Sequence, residues 1–536
     1  MDAAAASTKS VAIVGAGVSG LAACKHLLAR GFLPVVFEAG DGLGGAWRHA
    51  LPSTRLQTPA SSYRFSDFPW PTTAEVFPRY DQVVAYLAAY ARRFGVLERV
   101  RFGCKVLAAE YAGAAAEEQV AAWERWAGNG EAFGDGSGEW VLTVQHRGSE
   151  ATQVYRFDFL ILCMGMYSGV PNIPTFPANQ GPEAFRGKVL HSTEYAAMGT
   201  AAAAELIRGK RVAVVGSGKS AYDTVAECAD ANAGAGGPPC TMVCRSPRWM
   251  VNGGFVWGGV SIGQLFMSRL AELMVPHKPG EGIALRLLAT LMSPLRWAIS
   301  RVAEEYFKAR IPMMQEHGMV PRRSFASAVS ACRLGVLTER FYDRVAEGSV
   351  VIERTRDSVA FCPDGLVLDG GHAGERVVEA DVVVLATGFR GAEKLRGIFA
   401  SRRFQSMVAA GPDNPAPLYR QCLHPRIPQV AVIGYSDSGS SMYHYEMVAK
   451  WVAHLLDGAV RLPAVAGMER SVAEWGDYAR RHGSGGGGGE GPCVSAACTW
   501  FNDELCRDMG YNPRRKKGIL ADWFEPYGPA DYAGIR

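Results

Sequence analysis

Several things are scarce in this sequence. No Cys-x-x-Cys pair occurs among the twelve cysteines, and the nearest spacings are Cys240/Cys244 and Cys493/Cys498. That excludes zinc ribbons and thioredoxin-type redox pairs, so no metal site is expected and the thiols should be reduced and mostly buried. The excess of Lys plus Arg over Asp plus Glu is only 56 − 52 = +4, too small for a nucleic-acid coat or an acidic disordered tail. The first ten residues, MDAAAASTKS, do not read as a secretory leader. Long uncharged apolar runs are missing as well. Val251 to Ser268 is diluted by five glycines, Asn252 and Gln264, and Ile283 to Phe307 is broken by Arg286, Arg296 and Arg301. The second stretch reads as a buried or surface amphipathic helix, with membrane attachment the lesser alternative.

Glycine is the residue in excess, 62 of 536, against a usual share of about 7%. Its placement carries the first functional signal. Val11–Val14 is a β-rich run that leads into Gly15-Ala-Gly17-Val-Ser-Gly20, then an apolar helical pattern from Leu21 to Leu28, then a second strand from Pro34 to Phe37 ending at Glu38. In this pattern the first glycine allows the tight turn, the second lets backbone approach a pyrophosphate, and the third lets helix pack on strand. The helix N-terminus presents free N–H groups to phosphate, and Glu38 can accept from both ribose hydroxyls. The run Glu38-Ala-Gly-Asp-Gly-Leu-Gly44-Gly45-Ala-Trp47 bends the chain back over an extended dinucleotide, which favours FAD over NAD here.

The unit recurs two hundred residues on. Arg211–Val215 is a strand, Gly216-Ser217-Gly218-Lys219-Ser220-Ala221 the turn, Tyr222–Ala231 a helix and Thr241–Arg245 the next strand. Ala221 is small enough for the third position. Arg245 stands where an NAD site would have a carboxylate, and a guanidinium there pairs with a 2′-phosphate, so NADPH is expected. Lys219 and Arg248 could assist. Phe159–Gly165 and Asp381–Gly388 read as strands that carry the chain between units, and Val430–Gly434 as a last strand. Three segments, 112–138, 231–239 and 484–491, read as Gly- or Ala-rich loops or linkers. The basic run Arg514-Arg-Lys-Lys517 reads as a solvated loop.

Phe185-Arg-Gly187-Lys-Val-Leu-His191-Ser-Thr-Glu-Tyr195 resembles the FxGxxxHxxxY/F signature of flavin-dependent N- and S-monooxygenases and related Baeyer–Villiger enzymes. Leu385-Ala-Thr387-Gly388-Phe resembles the L-A-T-G-[FY] element of that family, and Asp67-Phe-Pro-Trp70-Pro its DFPxP element. From Val11 to about Tyr532 the chain is similar to flavin-containing monooxygenases. The plant branch is nearest, and within it the pathogen-defence subgroup that N-hydroxylates pipecolic acid. The resemblance implies FAD and NADPH as cofactors, with Thr387 and Gly388 at the cofactor site. It also implies O₂ activation as a flavin C4a-hydroperoxide, which a nitrogen or sulfur nucleophile attacks. The animal branch has an Asn ten residues before the DFP element; this chain has Gln57, the candidate catalytic amide. Where the family often has Thr before Gly165, this chain has Met164. His191 and Tyr195, four apart, could share a helical face, and the role expected for His191 is domain linking rather than acid–base catalysis.

The expected fold is α/β, with two Rossmann-like dinucleotide-binding domains. The FAD domain is discontinuous (1–207 and 385–463), the NADPH domain is inserted (208–384, with helices from about 255 to 330), and 464–536 is a C-terminal extension holding the linker 484–491. The expected activity is FAD- and NADPH-dependent oxygenation of nitrogen in a small amine, in the cytoplasm, without nucleic acid. An S-oxygenating or Baeyer–Villiger enzyme is the enzymatic alternative. A nucleotide-binding regulatory protein that has lost oxygenation is the non-enzymatic one.

Overall fold

A computed structural model describes residues 9–112, 130–133, 138–233, 236–251, 255–257, 260–356, 359–369, 376–408, 416–482 and 493–536. The glycine linker 484–491 and most of 112–138 lie outside them.

Two five-stranded parallel sheets organise the chain. The first runs Val430–Val432, Phe159–Leu162, Val11–Val14, Val35–Phe37, Val100–Arg101 in spatial order. The second runs Val350–Arg354, Cys240–Cys244, Val212–Val215, Val382–Leu385, Lys188–His191. The inner strands VAIV, FLIL and VVVL are buried at every position. Such unbroken β-branched and aliphatic runs suit sheets covered on both faces, where neither side needs polar residues. Each sheet also carries a three-stranded antiparallel sheet: Cys104–Ala112, Glu139–His146 and Thr152–Phe157 in the first unit, Val359–Cys362, Gly365–Leu368 and Arg376–Glu379 in the second.

The chain crosses twice between the sheets, and the crossings are stitched together. Asn172 donates through its backbone N–H to the Gly388 carbonyl (2.9 Å) and through its side chain to the Thr387 carbonyl (3.1 Å). Arg390 reaches back to the Asn172 side chain (3.2 Å) and the Ile173 carbonyl (2.9 Å). Lys188–His191, ahead of residue 208, already belongs to the second sheet.

The segment 255–330 holds a short ribbon, Phe255–Trp257 with Val260–Ser261, then helices Ile262–Phe266, Arg269–Leu273, Ile283–Arg310, Met313–Glu316 and Phe325–Ser330. The long helix runs through Pro294, whose ring nitrogen cannot donate to the Thr290 carbonyl. Ser293 Oγ supplies that bond instead (2.8 Å). Its buried stripe, Ala289, Ser300, Ala303, Glu304 and Phe307, packs on Phe325–Ser330, with Phe307 and Phe325 stacked.

Ten of the twelve cysteines are free thiols and all but Cys362 are buried. Cys332 and Cys493 correct the expectation of uniformly reduced thiols, because they form a disulfide. They lie 161 residues apart, and only the fold brings their Cα atoms to 5.7 Å.

Candidate active site

One cavity of about 2850 Å³ runs between the two sheets, several times the roughly 300–1,000 Å³ of an ordinary small-molecule site. Every cofactor residue expected from the sequence lines it except Gly20, and so does Gln57.

The glycines of each turn divide into two kinds. A Cβ on Gly15 would stand 2.5 Å from the Cys163 carbonyl oxygen, and its φ of +104° already favours glycine. A Cβ on Gly20 would stand 1.9 Å from the Gly15 carbonyl oxygen. The fold itself needs both. Gly17 differs: the nearest atom to its Cβ would be Gly45 Cα at 3.6 Å, ordinary van der Waals contact. The second turn repeats the division. A Cβ on Gly216 would meet the Ala386 carbonyl at 2.4 Å, whereas one on Gly218 would meet nothing within 4 Å. Both middle glycines face the cavity. Packing does not demand their bareness, but a dinucleotide pyrophosphate against the backbone does.

Glu38 ends its strand as expected, and backbone N–H groups hold its carboxylate. Ala16 N donates to Oε2 (2.8 Å) and Gly40 N to Oε1 (2.7 Å). The remaining lone pairs are available to ribose hydroxyls. Gly44 N donates to the Ala16 carbonyl (3.1 Å), which folds the Gly44–Gly45 turn onto the first glycine turn, and the Trp47 indole N–H donates to the Tyr63 hydroxyl (3.2 Å).

In the second site Ser217 and Ser220 line the turn, and Arg245 projects, exposed, from the end of Cys240–Cys244. Lys219 is otherwise engaged: its Nζ donates to Asp223 (2.6 Å) and to Thr338 Oγ1 (3.0 Å). Sequence reasoning missed Arg356. It follows the neighbouring parallel strand Val350–Arg354, is exposed, and lines the same cavity. The signal was a second arginine just past a β-rich run, as at Arg245.

Gln57 is anchored from the other unit. Val336 N donates to its Oε1 (3.2 Å), which orients the amide with Nε2 free to donate into the cavity. The loop before it docks on the helix Lys219–Ala233. Ser53 N donates to Glu227 (2.7 Å) and Thr54 Oγ1 to Asp223 (3.3 Å).

His191 and Tyr195 do not share a helical face. His191 ends its strand and caps the helix Ser192–Ala197, with Nδ1 accepting from Thr193 N (3.3 Å). Nε2 is therefore the protonated nitrogen and donates to the Gly388 carbonyl (3.0 Å). Burial, partly offset by Gly388, holds its pKa below 6.5, so it is neutral and ties the two crossings together. Gly187 is bare because a Cβ there would stand 2.3 Å from the Asp381 carbonyl oxygen. At Met164 the polar contacts run through the backbone: its carbonyl accepts from Ser168 Oγ (3.2 Å) and from Lys394 Nζ. Lys394 lines the cavity, and burial lowers its pKa to about 8. No group of three or more potential metal ligands occurs among the described residues.

Residues 8–485 match the model of the flavin-binding monooxygenase-like family. The chain is 36% identical to "Probable flavin-containing monooxygenase 1" of Arabidopsis thaliana over 97% of its length and 96% of the relative's. Among solved structures it is similar to cyclohexanone monooxygenase from Rhodococcus bound to NADP⁺ (TM-score 0.64, 18% identity, 97% and 98% covered). It is also similar to S-allyl-L-cysteine S-oxygenase from Allium sativum (TM-score 0.56, 17% identity, 94% and 89% covered). At those identities the two structures speak for the fold. With two glycine turns opening into one cavity, the chain belongs to the flavin-binding monooxygenase-like family and is a monooxygenase that uses FAD and NADPH.

Proposed function

We propose that this enzyme inserts one oxygen atom of O₂ into a nucleophilic nitrogen, with pipecolate or a related small cyclic amine as substrate and the cytoplasm as its location. The observation that carries the oxygenase reading is the pair of middle glycines, Gly17 and Gly218, bare without packing need and facing one cavity with the Gln57 amide on its wall. The choice of nitrogen and of pipecolate rests on the resemblance to the plant subgroup, carried by Leu56-Gln57, Phe65–Pro71 and the tail segments Asn512-Pro-Arg-Arg515, Pro526-Tyr-Gly528 and Asp531-Tyr532.

Reduced FAD, when bound, supplies the activated oxygen. The protein does the rest by placement. Gly15, Gly17 and the N-terminus of Val18–Leu28 hold one pyrophosphate, and Glu38 holds its ribose. Gly216, Ser217, Gly218 and Ser220 hold the second, and Arg245 and Arg356 meet the 2′-phosphate. Gln57 Nε2 donates a hydrogen bond where negative charge develops on oxygen, and Val336 N–H prevents the amide from flipping.

The test is turnover of purified holoenzyme with NADPH and pipecolate, other cyclic amines, thioethers and cyclic ketones, scored by product rather than by NADPH loss. An N-hydroxylated amine as the main product supports the proposal. Sulfoxide or lactone as the only product overturns the choice of nitrogen. A colourless protein after FAD reconstitution overturns the oxygenase reading itself.

A further inference from the structure

A ring of contacts closes around Gln57, and one of its links is the disulfide. Val336 N donates to Gln57 Oε1 (3.2 Å). Four residues before Val336, Cys332 is joined to Cys493. Cys493 pairs in parallel with Asp437, and Val494 N donates to the Asp437 carbonyl (2.9 Å). Two residues beyond Asp437, the Gly439 carbonyl accepts from the hydroxyl of Thr58 (3.2 Å), the chain neighbour of Gln57. The ring spans both units: Val494 packs in the core of the first sheet, and Val329, just before Cys332, in the core of the second. The disulfide therefore ties the segment that orients Gln57 to the unit that carries Gln57.

The two sulfurs differ in access. Cys332 lines the cavity and is half-exposed, whereas Cys493 is buried. Cys104 and Cys163 also line the cavity, but as buried thiols. A small reagent in the cavity thus meets Cys332 first. Disulfides in a reducing compartment such as the cytoplasm, the location proposed above, are rare and mostly transient or redox-sensing.

We propose that Cys332–Cys493 is a reversible redox latch on oxygen transfer. Joined, it holds the segment from Cys332 to Val336 so that the Gln57 amide stays at the reacting oxygen. Reduced, it lets that segment shift, and NADPH oxidation yields hydrogen peroxide instead of product. This rests on the reading of Gln57 given above. To open the latch, a thiolate of a dithiol reductant attacks Cys332 Sγ, the S–S bond breaks, and Cys493 leaves as a thiolate that takes up a proton. The second thiol of the reductant then releases Cys332 as a thiol and the reductant becomes a disulfide. To close it, the Cys332 thiolate takes one oxygen of hydrogen peroxide, becomes a sulfenic acid and expels hydroxide, which is protonated to water. The Cys493 thiol displaces a second water as the S–S bond re-forms. The oxidant is the peroxide that an uncoupled enzyme releases, so uncoupling re-closes the latch.

The experiment uses FAD-loaded full-length enzyme, reduced with dithiothreitol or oxidised with hydrogen peroxide followed by catalase, and desalted before assay. Alkylation of the denatured chain and intact mass should count twelve thiols in the first and ten in the second. Product and peroxide are then measured per NADPH with the best substrate of the panel above. Reduction should lower product per NADPH by about tenfold, with peroxide making up the difference, as expected for a displaced catalytic amide. The KM for NADPH should not move, and re-oxidation should restore coupling. Cys332→Ser, verified by flavin absorbance, should couple as the reduced enzyme does and ignore both reagents. Gln57→Leu should be uncoupled in either state. Equal coupling of oxidised and reduced wild type, beside an uncoupled Gln57→Leu, overturns the latch alone. A fully coupled Gln57→Leu overturns the reading of Gln57 and the latch with it. Loss of flavin on reduction also overturns the proposal, because the bond would then be a structural staple.

Discussion

At the residue scale the informative contrast is between neighbouring glycines. Gly20→Ala places a methyl 1.9 Å from a backbone oxygen, so it should cost more than the roughly 1–3 kcal/mol of ordinary overpacking and yield little folded protein. Gly17→Ala finds room. That variant should melt near the wild-type temperature in its FAD-free form yet bind FAD at least about tenfold more weakly, a loss of roughly 1.4 kcal/mol. Thermal melting with flavin titration checks both, and full flavin retention in Gly17→Ala would remove the pyrophosphate from this turn. Arg245→Ala should raise the KM for NADPH by roughly 10–100-fold, the range of one lost charged hydrogen bond, and leave NADH almost unchanged. Equal changes for the two would reassign the 2′-phosphate, with Arg356 the next candidate. Gln57→Leu should lower product formation by about 10²-fold while NADPH consumption continues as peroxide release. Unchanged coupling would show that the amide is not at the reacting oxygen.

At the element scale the crossings matter most. His191 Nε2–H holds the Gly388 carbonyl, and bare Gly187 lets its turn lie against the Asp381 carbonyl at the start of the strand that leads to Gly388. His191→Ala would remove this donor, while the Gly388 carbonyl keeps the Asn172 N–H, so the cost should be that of one ordinary hydrogen bond, about 0.5–1.5 kcal/mol. It should lower Tm and raise the KM for NADPH, with the pH profile of kcat unmoved, because the ring is a neutral tie and not a proton shuttle. A new acidic limb in that profile would make it catalytic. The signature residues were legible in the sequence as a pattern. Their division of labour was not, since spacing by four placed His191 and Tyr195 on one helix face, whereas the strand ends at His191 and the histidine caps the helix. Lys219 reads the same way. Beside a phosphate-binding turn it looked like a phosphate ligand, and only the fold puts Asp223 and Thr338 around its ammonium.

At the scale of the whole molecule, buried histidines set the response to acid. Burial, the largest cause in each case, lowers His26, His424, His454 and His482 from 6.5 to about 4. His26 faces Glu446, which Lys450 and His26 hold at about 2 although burial alone would push it up. Each histidine binds a proton less readily folded than unfolded. Their contribution to stability is therefore complete above pH 6.5 and is lost as the pH falls toward 4. Tm measured against pH should hold above 6.5 and fall steadily below it, and a flat profile to pH 4 would contradict this set of environments. The disulfide gives a second whole-molecule test. Thiol titration of the denatured, unreduced chain should find ten thiols, and twelve would mean that Cys332 and Cys493 are not joined.

The sequence by itself determined the two glycine turns, their strands and helices, the acidic residue of one and the basic residue of the other. Those features are local: a φ requirement, a run of β-branched residues, a carboxylate or guanidinium at a strand end all act within a few tens of residues. Only the tertiary structure decided which glycines the fold needs and which the ligand needs, because the atoms that forbid a Cβ at Gly15 or Gly216 belong to Cys163 and Ala386, each far along the chain. It also decided that Arg356 lines the same cavity as Arg245, that Val336 orients Gln57, that Cys332 meets Cys493, and that half of a long amphipathic helix lies uncovered. Contacts across such separations leave no periodicity in one sequence, so they appear only once the chain has closed.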